Sequence, residues 1–222
     1  MSIAQNIERI TAQLPHGVRL VAVSKFHPVE KIMEAYDAGQ RIFGENRAQE
    51  LAAKAPQLPT DIEWHFIGHL QKNKVRMIIP WASTIQSIDS VELLKLVNKE
   101  AARVNRHINV LLQLHVAKEQ TKSGFTVEEV LKAADEGAFN DLSHVTIAGV
   151  MAMATFTSDM DQVASEFELV HDTFLTLRDK HFAGDPHFKE ISMGMSDDWH
   201  IAVQHGASLV RIGTDIFGAR EY

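Results

Sequence analysis

Eight short runs of β-forming residues recur along this chain, each followed by a helix-like stretch, and that alternation narrows the fold more than anything else in the sequence. The runs are Arg19–Ser24 (RLVAVS), Arg41–Phe43, Ile62–Ile67 (IEWHFI), Thr84–Ser87, Asn109–Val116 (NVLLQLHV), Val145–Val150, Lys189–Ile191 and Leu209–Ile212. Strands that alternate with helices build a parallel sheet, since a parallel neighbour is reached only through a crossover connection. Several runs are nearly all apolar, as strands covered on both faces should be. Eight such units in 222 residues fit an α/β fold, a compact (β/α)₈ TIM-type barrel, whose usual size is about 250 residues with a lower bound near about 200. A doubly wound open sheet is the competing architecture. No G-x-G-x-x-G follows the first run, however, and the richest motifs fall at the C-terminal ends of several runs, where barrel sites form.

The intervening stretches read as amphipathic helices. Val163, Phe167, Val170, Phe174 and Leu177 recur at helical spacing among Glu168, Asp172 and Arg178 and are expected to be core. Pro28 opens the helix after the first strand and Gly39 closes it. An extra N-terminal helix, roughly Ala4–Leu14, precedes the first strand. No Pro/Ser/Gly-rich linker or block of like charge divides the chain, so residues 1–222 are expected to form a single barrel domain.

Composition excludes several function classes. The chain has no cysteine, which rules out disulfides, thiolate metal sites and a cysteine nucleophile, and fits a cytoplasmic protein. The N-terminal MSIAQNIERI lacks a basic region followed by an apolar stretch, and no apolar run is long enough to span a bilayer, so secretion and membrane insertion are not expected. A net charge of −7 repels polyanions. Lys72, Lys74 and Arg76 alternate with uncharged residues and read as a solvated helix face, so no nucleic-acid partner is expected.

Candidate chemistry gathers at the strand ends. Lys25 closes the first run in AVSKFHP, which places its amine at the mouth of a barrel. Ser192-Met-Gly-Met-Ser196 follows the seventh run and Gly213-Thr214 the eighth. Barrels commonly bind phosphate in these two loops, where small residues let backbone N–H groups approach an anion and a helix beginning near Ser196 would point its positive end at it. Ordinary turns are the competing reading of both loops. Arg211 interrupts an apolar strand with a cation that needs solvent or a partner. An amine, a phosphate cradle and an arginine at one barrel mouth suit a phosphorylated aldehyde, of which pyridoxal 5′-phosphate (PLP) is the common one.

Other candidates are weaker. His65 and His69 are four residues apart, but no Glu follows His65 and the segment reads as a strand entering a loop, so no metal site is expected. Asp197-Asp198 reads as acids complementing a helix dipole, and Gly124 in KSGF lacks the spacing of a nucleotide-binding loop.

The motifs together resemble the pyridoxal phosphate homeostasis protein family, whose barrel is similar to the N-terminal domain of alanine racemase. They are AVSK at Ala22–Lys25, FGEN at Phe43–Asn46, WHFIGHLQKNK at Trp64–Lys74, KSGF at Lys122–Phe125, GVMAM at Gly149–Met153, SMGMSDD at Ser192–Asp198 and VRIGTDIFGAR at Val210–Arg220. The resemblance implies PLP held as a Schiff base on Lys25, Arg211 facing the pyridine nitrogen, and Ser192, Ser196, Gly213 and Thr214 holding the phosphate. It also implies that Asn46, His65 and Met153 line the ring pocket. Phe26-His27 departs from the smaller or polar residues that relatives often carry between the lysine and Pro28, which leaves the open side of the pocket undefined.

The resemblance implies vitamin B6 homeostasis or delivery of PLP to PLP-dependent apo-enzymes, by a monomer, with no catalytic residue. An arginine is never deprotonated at working pH, so a pyridine nitrogen facing it stays unprotonated and the ring is a poor electron sink. The alternative is a PLP-dependent amino-acid racemase. Racemases of this kind add a tyrosine base from a second domain, whereas the tyrosines here are Tyr36, in the helix after the first strand, and Tyr222, the last residue. A Schiff-base aldolase for sugar phosphates is a third class, but no acid–base residues stand at recognisable positions for it.

Overall fold

A computed structural model describes residues 1–117 and 123–218. The matched motifs that reach Lys122, Ala219 and Arg220, and Tyr222, lie in part or whole outside the described residues. Eight parallel strands close in sequence order into a barrel, with β1 hydrogen-bonded to both β2 and β8. They are β1 (Arg19–Val23), β2 (Ile42–Glu45), β3 (Glu63–Phe66), β4 (Thr84–Ile88), β5 (Ile108–Leu114), β6 (Val145–Ala152), β7 (Glu190–Ser192) and β8 (Leu209–Ile212). The expected (β/α)₈ architecture is borne out.

The helices are α1 (Ile3–Thr11), α2 (Val29–Asp37), α3 (Ala48–Lys54), α4 (Val75–Ile78), α5 (Val91–Arg103), α6 (Val127–Asp135), α7 (Met160–Lys180), α8 (Trp199–Gln204) and α9 (Thr214–Phe217). Their starts follow capping chemistry. Ser2 with Gln5, and Thr126 with Glu129, form reciprocal capping boxes on α1 and α6. Ser90 caps α5 and Asp159 caps α7. The five apolar residues singled out on α7 are all buried. α1, the extra helix, is tied to the β1–β8 side by Asn6 Nδ2 donating to the Ile216 carbonyl at 3.0 Å.

Two hydrophobic layers result. The larger lies between sheet and helices and includes Ala22, Phe43, Phe66, Val150 and Ala152. The smaller joins Val21, Ile42, Leu111, Ala148, Met151 and Leu209. Strands that are not neighbours can share such a cluster only across the inside of the barrel.

Three boundaries differ from the expectation in ways that matter for the site. β2 runs on to Glu45, because Gly44 and Glu45 pair with His65 and Phe66. β6 runs on to Ala152 through a bulge: Val110 pairs with Ile147 but Leu111 pairs with Gly149, leaving Ala148 as the extra residue. Gly149 is required there, since its φ is +149° and a Cβ would stand 1.8 Å from the Glu190 carbonyl oxygen. Finally, the helix expected near Ser196 begins at Trp199. The Asp198 carboxylate accepts from Met195 N at 2.6 Å and Asp198 N donates to the Met195 carbonyl, which holds 195–198 as a turn.

Candidate functional site

Side chains on a strand alternate between faces, so the inner face of β1 carries Val21 and Val23, and Lys25 follows in the same phase. Val21 sits in the inner cluster, and both Val23 and Lys25 line a cavity of about 250 Å³ at the C-terminal ends of the strands. The same alternation brings Arg211 inward, in register with Val21. On β6 the bulge at Ala148–Gly149 shifts the phase, so that Met151 and Met153 face inward while Val150 and Ala152 face the helices. Without it Met153 would point away from the cavity it now lines.

Of the residues expected from sequence, the cavity brings together Lys25, Asn46, Met153, Ser196, Arg211, Gly213 and Thr214. Ser196, Gly213 and Thr214 stand in the loops after β7 and β8. A Cβ on Gly213 would approach Val23 O to 3.1 Å, so a side chain there would press on the end of β1 beside Lys25. Asn46 presents a buried Oδ1 without a hydrogen-bond partner in the protein, an acceptor left for a donor from outside the chain.

Ser192 and His65 are not among the lining residues. They belong to a buried network beneath the cavity that holds Arg211, which is 4% exposed. Arg211 Nη1 donates to Ser192 Oγ at 2.6 Å and Nη2 to the Ala152 carbonyl at 2.8 Å. Ser192 Oγ in turn donates to Gln86 Oε1 at 2.6 Å, and Gln86 Nε2 lies 2.7 Å from His65 Nδ1. With Gln86 as donor, His65 accepts at Nδ1 and carries its proton on Nε2. Burial, assisted by the Arg19 cation, lowers the His65 pKa to about 3, so the ring is neutral near pH 7. Burial also lowers Arg211 to about 10, against the pull of Asp198, and the guanidinium therefore remains a cation. Gln86 escaped the sequence reading. Its signal was an amide inside a strand, TIQSI, that is buried at every position and so must satisfy it internally.

The open side of the cavity, left undefined by the sequence, is now specific. His27 lines it and stacks on Phe217 with ring centroids 5.0 Å apart. Phe26 is not a lining residue; the Arg47 guanidinium covers its ring at 4.7 Å. Phe156, 89% exposed, stands at the rim with Met195. Asp197 also lines the cavity but is exposed, where solvent weakens its repulsion of an anion.

Other candidates fall elsewhere. His65 is in β3 whereas His69 is in the loop beyond it, 3.3 Å from Asp89, so the two do not share a helical turn. Among the described residues no group of three or more His, Asp or Glu side chains is placed to hold a metal ion. Tyr36 is on α2 with its hydroxyl on Asp61 at 2.8 Å, and it does not line the cavity. Lys72 pairs with Glu92 and Arg76 with Glu100, so these two cations are matched by acids. Among the described residues no helix is long and apolar enough to cross a membrane.

Comparison with known proteins adds a family context. Residues 1–221 match the family described as alanine racemase, N-terminal domain. A pyridoxal phosphate homeostasis protein of Vibrio alginolyticus is 39% identical, with 100% of this chain and 99% of that protein covered. PipY of Synechococcus elongatus PCC7942, solved without PLP, has a TM-score of 0.92 and 35% identity, covering 98% of this chain and 100% of that one. The same protein with PLP bound has a TM-score of 0.88 and 34% identity, with the same coverage.

Proposed function

Because the chain belongs to the pyridoxal phosphate homeostasis proteins, within the family of the alanine racemase N-terminal domain, we propose that its barrel-mouth cavity holds PLP covalently through Lys25 and serves PLP homeostasis or delivery. The observation that carries this reading is the convergence of Lys25, Arg211 and the Ser196, Gly213 and Thr214 loops on one cavity. Asn46, which lines that cavity, has a buried Oδ1 without a hydrogen-bond partner in the protein, which fits a polar ligand, and the absence of a side chain at Gly213 leaves the end of β1 beside Lys25 undisturbed.

When bound, PLP supplies an aldehyde that joins a neutral amine with loss of one water, and a pyridine ring that can withdraw electrons. Lys25 provides the amine. Ser196, Thr214 and the backbone at Gly213 hold the phosphate as donors, and Met153 and Asn46 bound the ring. Arg211, fixed by Ser192 and Ala152 O, presents only N–H donors, so a ring nitrogen facing it keeps its lone pair and stays uncharged. In this proposal Ser192 and His65 act one step back: they hold Arg211 and contact neither phosphate nor ring.

The role is holding and hand-over, to PLP-dependent apo-enzymes in the cytoplasm, by a monomer and without enzymatic turnover. Two features support it. A donor-only Arg211 limits carbanion stabilisation, and Tyr36 is committed to Asp61 away from the cavity. The test is borohydride reduction of the PLP-loaded protein followed by peptide mapping. Lys25 should be the labelled residue, and Lys25→Ala should lose the visible absorbance and the label while unfolding at the wild-type denaturant concentration. Labelling of another lysine would sink the assignment.

A further inference from the structure

The backbone that carries Lys25 is strained. Ser24 O accepts from His27 N at 3.1 Å, closing a four-residue turn whose third residue, Phe26, has φ +67°. That position of a type II turn normally takes Gly, and a bulky residue there is costly unless its surroundings hold it. The surroundings here are a largely buried set of ionisable groups between the sheet and α3, Glu45 fully buried and Glu50 partly so. Glu50 Oε2 accepts from Phe26 N at 2.8 Å and from Lys54 Nζ at 2.8 Å. Lys54 Nζ also donates to Ser24 O at 3.1 Å and to Glu45 Oε1 at 2.8 Å. Glu45 Oε1 takes a further bond from Ser24 Oγ at 2.7 Å, and the Glu45 side chain is fully buried. The residues on both sides of Lys25 are thus gripped by one cluster of two carboxyl groups and an ammonium, in which burial pushes the Glu45 carboxyl up against the pull of Lys54, and which does not line the cavity.

Resting on the assignment of Lys25 as the PLP anchor, we propose that Glu45, Lys54 and Glu50 are positioning residues, a clamp that holds the Ser24–His27 turn in the conformation that aims the Lys25 amine into the cavity. A buried ion cluster is weak evidence for stability, because desolvation offsets most of its attraction. It is strong evidence for geometry here, since its bonds end on the backbone of a strained turn. Burial pushes the Glu50 carboxyl up, but the Lys54 ammonium and the Phe26 N–H outweigh it and hold the group below its ordinary range, so it is ionised near neutral pH. Phe26, with its ring under Arg47, cannot leave the turn without breaking a charge-assisted bond.

The experiment compares PLP with pyridoxine 5′-phosphate, which keeps ring and phosphate but has no aldehyde to join Lys25. Glu50→Ala should lower the equilibrium constant for covalent attachment about tenfold or more, the loss expected of one charge-assisted hydrogen bond, while pyridoxine 5′-phosphate changes by less than about threefold. Glu50→Gln, whose amide oxygen can still accept from Phe26 N–H, should recover most of it. Equal loss for both ligands would mark a merely structural cluster and overturn the clamp, as would wild-type attachment in Glu50→Ala. Should Glu50→Ala not fold, Glu50→Met, which keeps the side-chain volume but cannot accept from Phe26 N, is measured with and without Phe26→Gly. Glycine takes a positive φ unaided and should shrink the effect of Glu50→Met on attachment; an unchanged effect overturns the proposal. Borohydride labelling of a different lysine in the wild-type protein would instead remove the premise, a failure distinct from that of the clamp.

Discussion

Replacing Ser192 by alanine removes one oxygen that serves two buried partners. Arg211 Nη1 loses its acceptor at 2.6 Å and Gln86 Oε1 loses its donor at 2.6 Å, and Ser192 itself is fully buried, so water has no ready path to replace either. A hydrogen bond to a charged group contributes about 1.5–3 kcal/mol and an orphaned neutral acceptor costs about 1–3 kcal/mol, with incomplete additivity, so the loss should be about 2–4 kcal/mol. For a chain of this size that lowers Tm by on the order of 10 °C. Urea unfolding should show the midpoint falling with the slope unchanged. The binding consequence separates two roles. If Ser192 only fixes Arg211, pyridoxal and PLP should lose affinity for Ser192→Ala by similar factors, because both carry the ring. A loss confined to PLP, with stability near wild type, would refute the role of Ser192 in holding Arg211 and return it to the phosphate.

Thr214→Val and Ser196→Ala should behave in the opposite way, each weakening PLP by about 0.5–3 kcal/mol and pyridoxal much less; equal losses for the two ligands in a fluorescence titration would take these hydroxyls away from the phosphate. His65 sets an acid limit on stability. Its folded pKa, about 3, lies below the unfolded value of about 6.5, so its contribution is complete above about pH 6.5 and is lost as pH falls toward about 3, amounting to about 3 kcal/mol by pH 4.5. His65→Gln should shrink the stability difference between pH 7 and pH 4.5 by roughly that amount in urea titrations, and identical losses in both proteins would disprove it. L-Alanine incubated with the PLP-loaded protein in deuterated buffer should not racemise at an enzymatic rate, since a missing general acid–base partner costs about 10²–10⁴-fold; inversion at several turnovers per second that disappears in Lys25→Ala would make the protein a racemase.

The barrel was legible because its cause is local: apolar runs alternate with helical periodicity, and neighbouring strands then pair in sequence order. The cavity was legible at residues in phase with a strand, such as Lys25 on β1 and Arg211 on β8, and in the small-residue loops that follow β7 and β8. What the sequence concealed depends on contacts between distant segments. A serine at a strand end satisfies the same pattern whether it faces the mouth or the interior, so the bond from Ser192 Oγ to Gln86, 106 residues away, could not be read from the sequence. Phase alone also misplaces Met153, because the bulge is set by pairing with β5. Nothing in the sequence joins Glu45 to Lys54, which meet only because β2 and α3 pack together, and the positive φ of Phe26 leaves no mark in its residue type.

The network under the cavity argues for holding over turnover on its own chemistry. It runs from Arg211 through Ser192 and Gln86 to His65, which lines a second cavity of about 190 Å³ together with Arg19 and Glu190 at the N-terminal ends of the strands. A relay of protons along this line would have to cross the Gln86 amide, which offers a hydrogen to His65 and a carbonyl oxygen to Ser192 and cannot pass a proton between them without changing tautomer or flipping. His65 stays neutral until far below physiological pH, so it does not drive such a flip. The chain of bonds therefore stiffens Arg211 rather than supplying it with protons. A buried polar network costs folding energy unless its members are paired, and where they are paired it specifies one arrangement. Here that arrangement is a fixed cation beneath the end of β1, which suits the proposed role of keeping one ring in one orientation with its nitrogen unprotonated.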